Sequence, residues 1–170
     1  MRVLVVYESM FGNTRQVAEE VASSLAAAGQ EVALVDVRSA PRDLSDVDLL
    51  VVGGPTHAFG MTRAGTRADA VTQGAPDGVQ ETGIREWLDR LLPPERTVRC
   101  AAFDTRVRPP RVPGSAARAA DRRLRRLGLL VVSPAMSFWV VGTKGPLRDG
   151  ELDRARDWAT GLVSPAPALR

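Results

Sequence analysis

The feature that most constrains the fold of this chain is a change of hydrophobic period close to its N-terminus. Residues 3–7 form an unbroken apolar run, which predicts a strand buried on both faces, as in a parallel sheet. From Asn13 onward apolar residues recur at every fourth position, and Gly29 stands where a helix should end. We therefore predict a strand, a tight loop and an amphipathic helix, with Asn13 and Gln16 as a capping box.

Apolar strand patterns recur along the rest of the chain. Further strands are predicted at residues 31–37, 49–53 and 98–103. A fifth strand, interrupted near Pro134, is predicted from residues 129–133 and 138–141. Because helical patterns separate these strands, they predict βαβ crossovers and hence an α/β fold with a parallel sheet covered on both sides.

Helical patterns lie between the strands and at the end of the chain. One helix is predicted around residues 84–91, a second follows a Ser115 cap, and the last follows an Asp149 cap. The last helix is expected to bury a stripe that consists of Leu152, Ala155, Trp158, Ala159 and Leu162. We expect one domain over residues 1–163 and a flexible tail at residues 164–170.

The segment at residues 62–82 is long, polar and poor in large apolar residues. Unstructured connections of that length are usually lids, binding loops or disordered segments. Ligands in such folds bind at the carboxyl ends of the strands. We therefore expect this segment to control access to a site there while contributing little to stability.

Composition excludes several classes of function. One cysteine, Cys100, and one histidine, His57, cannot form an internal disulfide or a structural zinc site, so no metal is expected. Cys100 is predicted to be a small buried strand residue. A net charge of +3 is too small to indicate a nucleic-acid partner. No apolar run approaches the roughly 20 residues of a membrane span, and without a recognisable secretion signal the expected location is the cytoplasm.

The loop after the first strand has the chemistry of an anion site. Ser9, Asn13 and Thr14 offer side-chain donors, and Gly12 allows the backbone to turn its amides inward where a helix begins. Backbone N–H groups and the positive end of a helix dipole bind phosphate without lysine or arginine. The same residues would also suit an ordinary strand-to-helix turn with capping side chains.

Three other site classes lack their motifs. No G-x-x-x-x-G-K-[ST] sequence is present, no G-x-G-x-x-G follows the first strand, and no G-x-S-x-G elbow exists. A P-loop triphosphatase, a dinucleotide-binding fold and a serine hydrolase are therefore disfavoured. A response-regulator receiver would need clustered acids after the first strand, where Glu8 stands alone.

Two motifs at the expected strands resemble the flavodoxin family. Ser9-Met10-Phe11-Gly12-Asn13-Thr14 follows the first strand, and Gly53-Gly54-Pro55-Thr56-His57 follows the third. The resemblance extends over residues 1–161 in the order of its elements. It implies a flavodoxin-like three-layer sandwich whose five-stranded parallel sheet has the order 2-1-3-4-5, with flavin mononucleotide (FMN) at the switch point.

The resemblance also implies which residues hold the cofactor. They come from the loops after the first, third and fourth strands, and they are Ser9, Met10, Phe11, Gly12, Asn13, Thr14, Pro55, Thr56, His57, Ala58, Phe59, Gly60, Phe103, Asp104, Thr105 and Arg106.

Three positions depart from the family pattern. His57 stands where an aromatic residue usually stacks on the flavin, with Phe59 as the alternative ring. Ala58 replaces a common glycine, which weakens any expectation of a specially stabilised semiquinone. The loop after the fourth strand lacks the second stacking aromatic, so that face is open, covered by an arginine or reserved for a substrate.

The function implied is that of an FMN-dependent redox protein. It is either an electron carrier with a protein partner or a small oxidoreductase acting on a flat, quinone-like acceptor, and no residue is assigned as a catalytic acid or base. The alternative is a binding domain that kept the fold and lost the flavin.

Overall fold

The predicted alternation of strands and helices is present in the computed structural model, which describes residues 1–57, 59–108 and 113–164. The strands are β1 (Arg2–Tyr7), β2 (Glu31–Asp36), β3 (Leu49–His57), β4 (Gly60–Met61), β5 (Arg99–Val107), β6 (Leu130–Val131) and β7 (Met136–Val140). The helices are α1 (Asn13–Ala27), α2 (Ala64–Thr72), α3 (Ile84–Arg90), α4 (Ala116–Arg126) and α5 (Glu151–Val163). A short 3-10 turn covers Val37–Ser39.

The sheet has the parallel path β2-β1-β3-β5, and both β6 and β7 pair in parallel with β5. The fifth position of the predicted order is thus filled by two short strands on either side of Pro134. Strand β4 folds back on β3 as an antiparallel hairpin. The predicted flavodoxin-like α/β class is confirmed, and the described strands number seven where five were predicted.

Alternating residues of the central strands feed two apolar layers. Leu4, Leu50 and Cys100 face one layer together with residues of α3 and α4. Val5 and Val51 face the other layer together with residues of α1 and α5. This alternation follows from the two-residue period of a strand, and it produces the predicted three-layer arrangement.

Helix α1 begins differently from the predicted capping box. Its N-cap is Gly12 in the left-handed region at φ 92°, and Asn13 is the first helical residue. The Ser9 hydroxyl oxygen instead accepts hydrogen bonds from the Gly12 and Arg15 N–H groups, at 3.1 and 3.3 Å. A residue outside the helix therefore caps its first turn, a contact that sequence spacing did not indicate.

The lid interpretation of residues 62–82 is wrong. The segment contains α2, and Thr62 and Arg67 are fully buried. Small apolar residues of the segment pack against the first loop in a cluster of Met10, Ala70, Ala75 and Val79. The segment looked loose in the sequence because its buried residues are mostly small or polar: Thr62, Arg67, Ala70, Ala75 and Val79.

The C-terminal helix α5 also departs from expectation at its start. Gly150, and not Asp149, is its N-cap, at φ 83°. Leu152 is exposed, while Glu151 is buried and accepts a hydrogen bond from the Trp139 N–H at 2.9 Å. The rest of the predicted buried stripe is confirmed. The predicted tail, apart from Ser164, lies outside the described residues.

Two smaller predictions concern Cys100 and the membrane. Cys100 is buried in β5 as predicted, and burial raises the pKa of its thiol to about 12. No helix in the described part of the chain has the length and apolar character that a bilayer crossing requires.

Candidate functional site

One cavity of about 550 Å³ opens at the carboxyl ends of β1, β3 and β5. Its volume lies in the range of roughly 300 to 1,000 Å³ that is typical of small-molecule sites. Eleven of the residues predicted to hold a cofactor line it: Ser9, Met10, Phe11, Asn13, Thr14, Pro55, Thr56, His57, Phe59, Thr105 and Arg106. Gly12, Gly60, Phe103 and Asp104 do not line it, and Ala58 lies outside the described residues.

The first turn of α1 presents backbone donors to this cavity. Helix geometry leaves the N–H groups of the N-cap and the first three helical residues without intrahelical acceptors. Ser9 accepts from two of these residues, Gly12 and Arg15, which leaves the N–H groups of Asn13 and Thr14. Because Asn13 and Thr14 both line the cavity, this part of its wall has backbone donors and the positive end of a helix dipole, a chemistry that suits an anion.

The Thr14 hydroxyl connects this loop to the neighbouring strand. It is buried and lies 2.7 Å from the Thr105 hydroxyl oxygen, and either group can be the donor. When Thr105 donates, the Thr14 hydroxyl hydrogen is available to a ligand. The pair thus fixes the depth of the loop against β5 and keeps one further donor at the site.

The segment between β7 and α5 closes the site over Asn13, which sequence reasoning missed. Thr143 lines the cavity. Gly145 sits so close to Asn13 that a Cβ on Gly145 would lie 2.4 Å from the Asn13 side-chain oxygen. Gly145 also has φ 97°, which disfavours any other residue there. Glycine at this position is the sequence signal that could have indicated a close approach.

The hairpin of β3 and β4 forms another edge of the cavity, and Thr56 and His57 pair there with Met61 and Gly60. At its tip Phe59 adopts φ 75° and leaves 61% of its surface exposed. Positive φ is strained for a bulky residue and is often found at functional sites. The backbone of Gly114 packs directly against Phe59 and stabilises this strained conformation, since a Cβ on Gly114 would lie 1.8 Å from the Phe59 carbonyl oxygen.

The surroundings of His57 disfavour its protonated form. Burial lowers the pKa of His57 below its usual 6.5, and the nearby charge of Arg67 lowers it further. His57 is the single histidine of the chain, so its ring signals in an NMR titration are unambiguous. We expect a midpoint below 6.5 in the folded protein, and Arg67→Met should raise it.

The same shift predicts a pH dependence of stability. Because the folded pKa lies below the unfolded value, the unfolded chain takes up more protons as the pH falls through that value. The contribution of neutral His57 is therefore present above pH 6.5 and is lost towards acid. An NMR titration midpoint of His57 at or above pH 6.5 would contradict the buried placement of this residue.

Phe103 and Asp104 lie beneath the cavity, within β5, and not in a loop. Phe103 is buried against Phe138 and Trp158, with ring centroids 5.9 Å away in each case. One Asp104 carboxylate oxygen accepts hydrogen bonds from the Thr56 hydroxyl at 2.9 Å and from the Ser115 hydroxyl. Phe103 therefore belongs to the apolar layer of α1 and α5, whereas Asp104 supports the hairpin and the start of α4. Strand β5 continues four residues beyond the predicted strand end.

Arg106 faces the cavity from β5. It donates to the Gly114 carbonyl oxygen at 2.6 Å, and its guanidinium carbon is 5.8 Å from the centroid of the Trp139 ring. The wall where the family pattern has a second stacking aromatic is thus formed in part by an arginine.

Helix α2 forms a further wall of the cavity that was absent from the sequence prediction. It contributes Thr66, Asp69 and Ala70, and its C-cap residue Gln73 continues the same face.

A buried polar network holds α2 in place. The Arg67 guanidinium donates to the Thr62 hydroxyl and to a Glu86 carboxylate oxygen, both at 2.9 Å. The Thr62 hydroxyl in turn donates to Glu8, which also accepts from the Ile84 N–H at 2.8 Å. Burial raises the pKa of Glu8, and its hydrogen bonds and the charge of Arg67 oppose that rise. The network therefore links the end of β1 to α2 and α3.

The strand order, the two helical layers and a cavity at the ends of β1 and β3 define the flavodoxin-like class of α/β proteins. A family model described as the flavodoxin domain matches residues 4–65. The predicted resemblance to the flavodoxin family is thereby confirmed. No curated protein sequence matches the chain.

Solved structures share the fold over nearly the whole chain. A flavodoxin from the domain Archaea has a TM-score of 0.65 at 18% identity, covering 95% of this chain and 96% of its own. Flavodoxin 1 from Bacillus cereus has the same TM-score and identity, covering 96% of this chain and 97% of its own. A flavodiiron core from Synechocystis matches 95% of this chain with 35% of its own, at 17% identity and a TM-score of 0.65. At these identities the likeness establishes the fold.

Proposed function

We propose that this chain binds one FMN in the 550 Å³ cavity and acts as a redox protein. The observation that carries the proposal is the pair of Asn13 and Thr14 N–H groups, which the first turn of α1 leaves without helical acceptors at the cavity wall. The donor set suits a phosphate monoester, because backbone amides, a hydroxyl and a helix dipole stabilise a dianion together.

The remaining predicted residues would hold the rest of the cofactor. His57 and Phe59, on the hairpin, offer flat rings to one side of an isoalloxazine system. Arg106 and Val107 line the cavity from β5. FMN would supply the electron chemistry, and the chain would bind it, orient it and limit its contact with water.

The partner is either a redox protein or a small flat acceptor of the quinone type. A cavity with an additional wall from α2 favours the small acceptor, since an electron carrier needs only an exposed cofactor edge. The cytoplasmic location stays a prediction.

Substitution of Thr14 tests the phosphate assignment. Thr14→Val keeps the size of the side chain and removes its hydroxyl, and we expect FMN binding to weaken by about 1 to 3 kcal/mol. Riboflavin, which lacks the phosphate, should bind almost as before, and Thr14→Ser should restore most of the FMN affinity. Flavin fluorescence titration measures both ligands. Equal losses for FMN and riboflavin would mean that the hydroxyl serves only to hold the loop.

A further inference from the structure

The face of α2 that lines the cavity carries polar groups with no partner in the fold. Asp69 and Gln73 are exposed, and their side chains form no hydrogen bond or ion pair with any of the described residues. Thr66, on the same face, is already engaged with the backbone of Arg63, from whose N–H it accepts at 2.9 Å. The free groups of this wall are therefore one carboxylate and one amide.

This wall is held rigidly with respect to the rest of the cavity. Arg67 of α2, which does not line the cavity, is 1% exposed and is fixed by Thr62 and Glu86. Ala70 packs against Met10 of the first loop. A helix anchored by a buried ion pair and by apolar contact keeps Asp69 and Gln73 at a fixed position, which a binding surface requires.

The charge of this wall is opposite to what a phosphate needs. Asp69 is the one carboxylate among the described residues that line the cavity, and it stands on a different element from the amides of α1. A carboxylate favours a cationic or N–H-bearing ligand and disfavours an anion. Phosphate recognition therefore does not account for Asp69.

We propose that the cavity face of α2 is a second subsite, which binds the cationic or N–H-bearing edge of a flat ring lying beside the flavin. Asp69 accepts from that edge, and Gln73 offers a further acceptor and donor. The inference rests on the proposed function, because it assigns a chemical class to the acceptor that binds beside FMN in the same cavity.

Dye binding to the oxidised, FMN-loaded protein tests this subsite without any electron transfer. Thionine is a planar tricyclic cation that carries two amino groups, and resorufin is a planar tricyclic anion. We expect Asp69→Asn to weaken thionine binding by about fivefold or more, with no weakening of resorufin, as measured by calorimetric titration. Asp77→Asn is the matched control, since Asp77 is exposed, eight residues further along and outside the cavity lining. It should change either affinity by less than about twofold.

Each other outcome is informative. Equal effects of Asp69→Asn and Asp77→Asn on dye affinity would mean that the dyes respond only to the net charge of the protein. That result would overturn the proposed subsite. A loss of FMN affinity of about fivefold or more in Asp69→Asn would also overturn it, because the face would then belong to the flavin site. Failure of the unaltered protein to bind FMN would contradict the proposed function alone. The Asp69 contrast would then be measured in the ligand-free protein, where the anchored wall predicts the same difference.

Discussion

Gly53→Ala is expected to lower the free energy of unfolding by at least about 2 kcal/mol, whereas Gly54→Ala should change it by less than about 1 kcal/mol. A Cβ on Gly53 would lie 2.0 to 2.5 Å from three atoms of the Phe103 ring. That ring cannot move aside, because it is buried edge-on against Phe138 and Trp158.

Gly54 is the matched control on the same strand. A Cβ there would meet Ile84 at 3.4 Å, an ordinary contact, and alanine costs less backbone entropy on folding than glycine. Urea unfolding of both variants measures the difference. Equal stabilities would show that Phe103 is not packed beneath β3. In that case burial would no longer explain why Phe103 is left out of the residues that line the cavity.

Arg67→Met is expected to destabilise the fold by about 3 kcal/mol, near the lower end for a broken buried ion pair because Glu86 remains partly exposed. The substitution removes the guanidinium donor from the buried Thr62 hydroxyl and from the Gln80 carbonyl oxygen.

Arg85→Met is the comparison, since Arg85 donates to the Met61 and Thr62 carbonyl oxygens from a partly exposed position. It should cost only about 1 kcal/mol in the same unfolding experiment. If Arg67→Met were as mild as Arg85→Met, residues 62–82 would be the weakly stabilising segment that the sequence suggested.

The parts of the molecule that were predicted from sequence are those with a strong periodic signal. The apolar run before the first loop indicated β1, and the apolar residues at every fourth position after the loop indicated α1. The two patterns differ because strands and helices bury residues at different spacings. Glycine at position 12 indicated the tight turn, and the structure places it at φ 92°.

The parts that were missed depend on contacts between distant residues. Helix α2 turns a mostly polar face to the cavity, and its buried residues are Arg67 and Ala70, so it has almost no apolar stripe. From sequence alone an arginine is expected at the surface. Arg67 is buried because Thr62 and Glu86 accept hydrogen bonds from its guanidinium group. Phe103 was placed at the end of the predicted strand and Asp104 in the loop after it, because the apolar run ends at residue 103. Pairing with β3 and β7 extends the strand to Val107.

The affinity of the unaltered protein for FMN, compared with riboflavin, tests the central claim most directly. The two ligands share the ring and the ribityl chain and differ only in the phosphate, which the first turn of α1 is proposed to bind. We expect FMN to bind one to one and at least about tenfold more tightly than riboflavin, a difference of about 1.4 kcal/mol. Equal affinity for the two flavins, or binding of neither, would contradict the account.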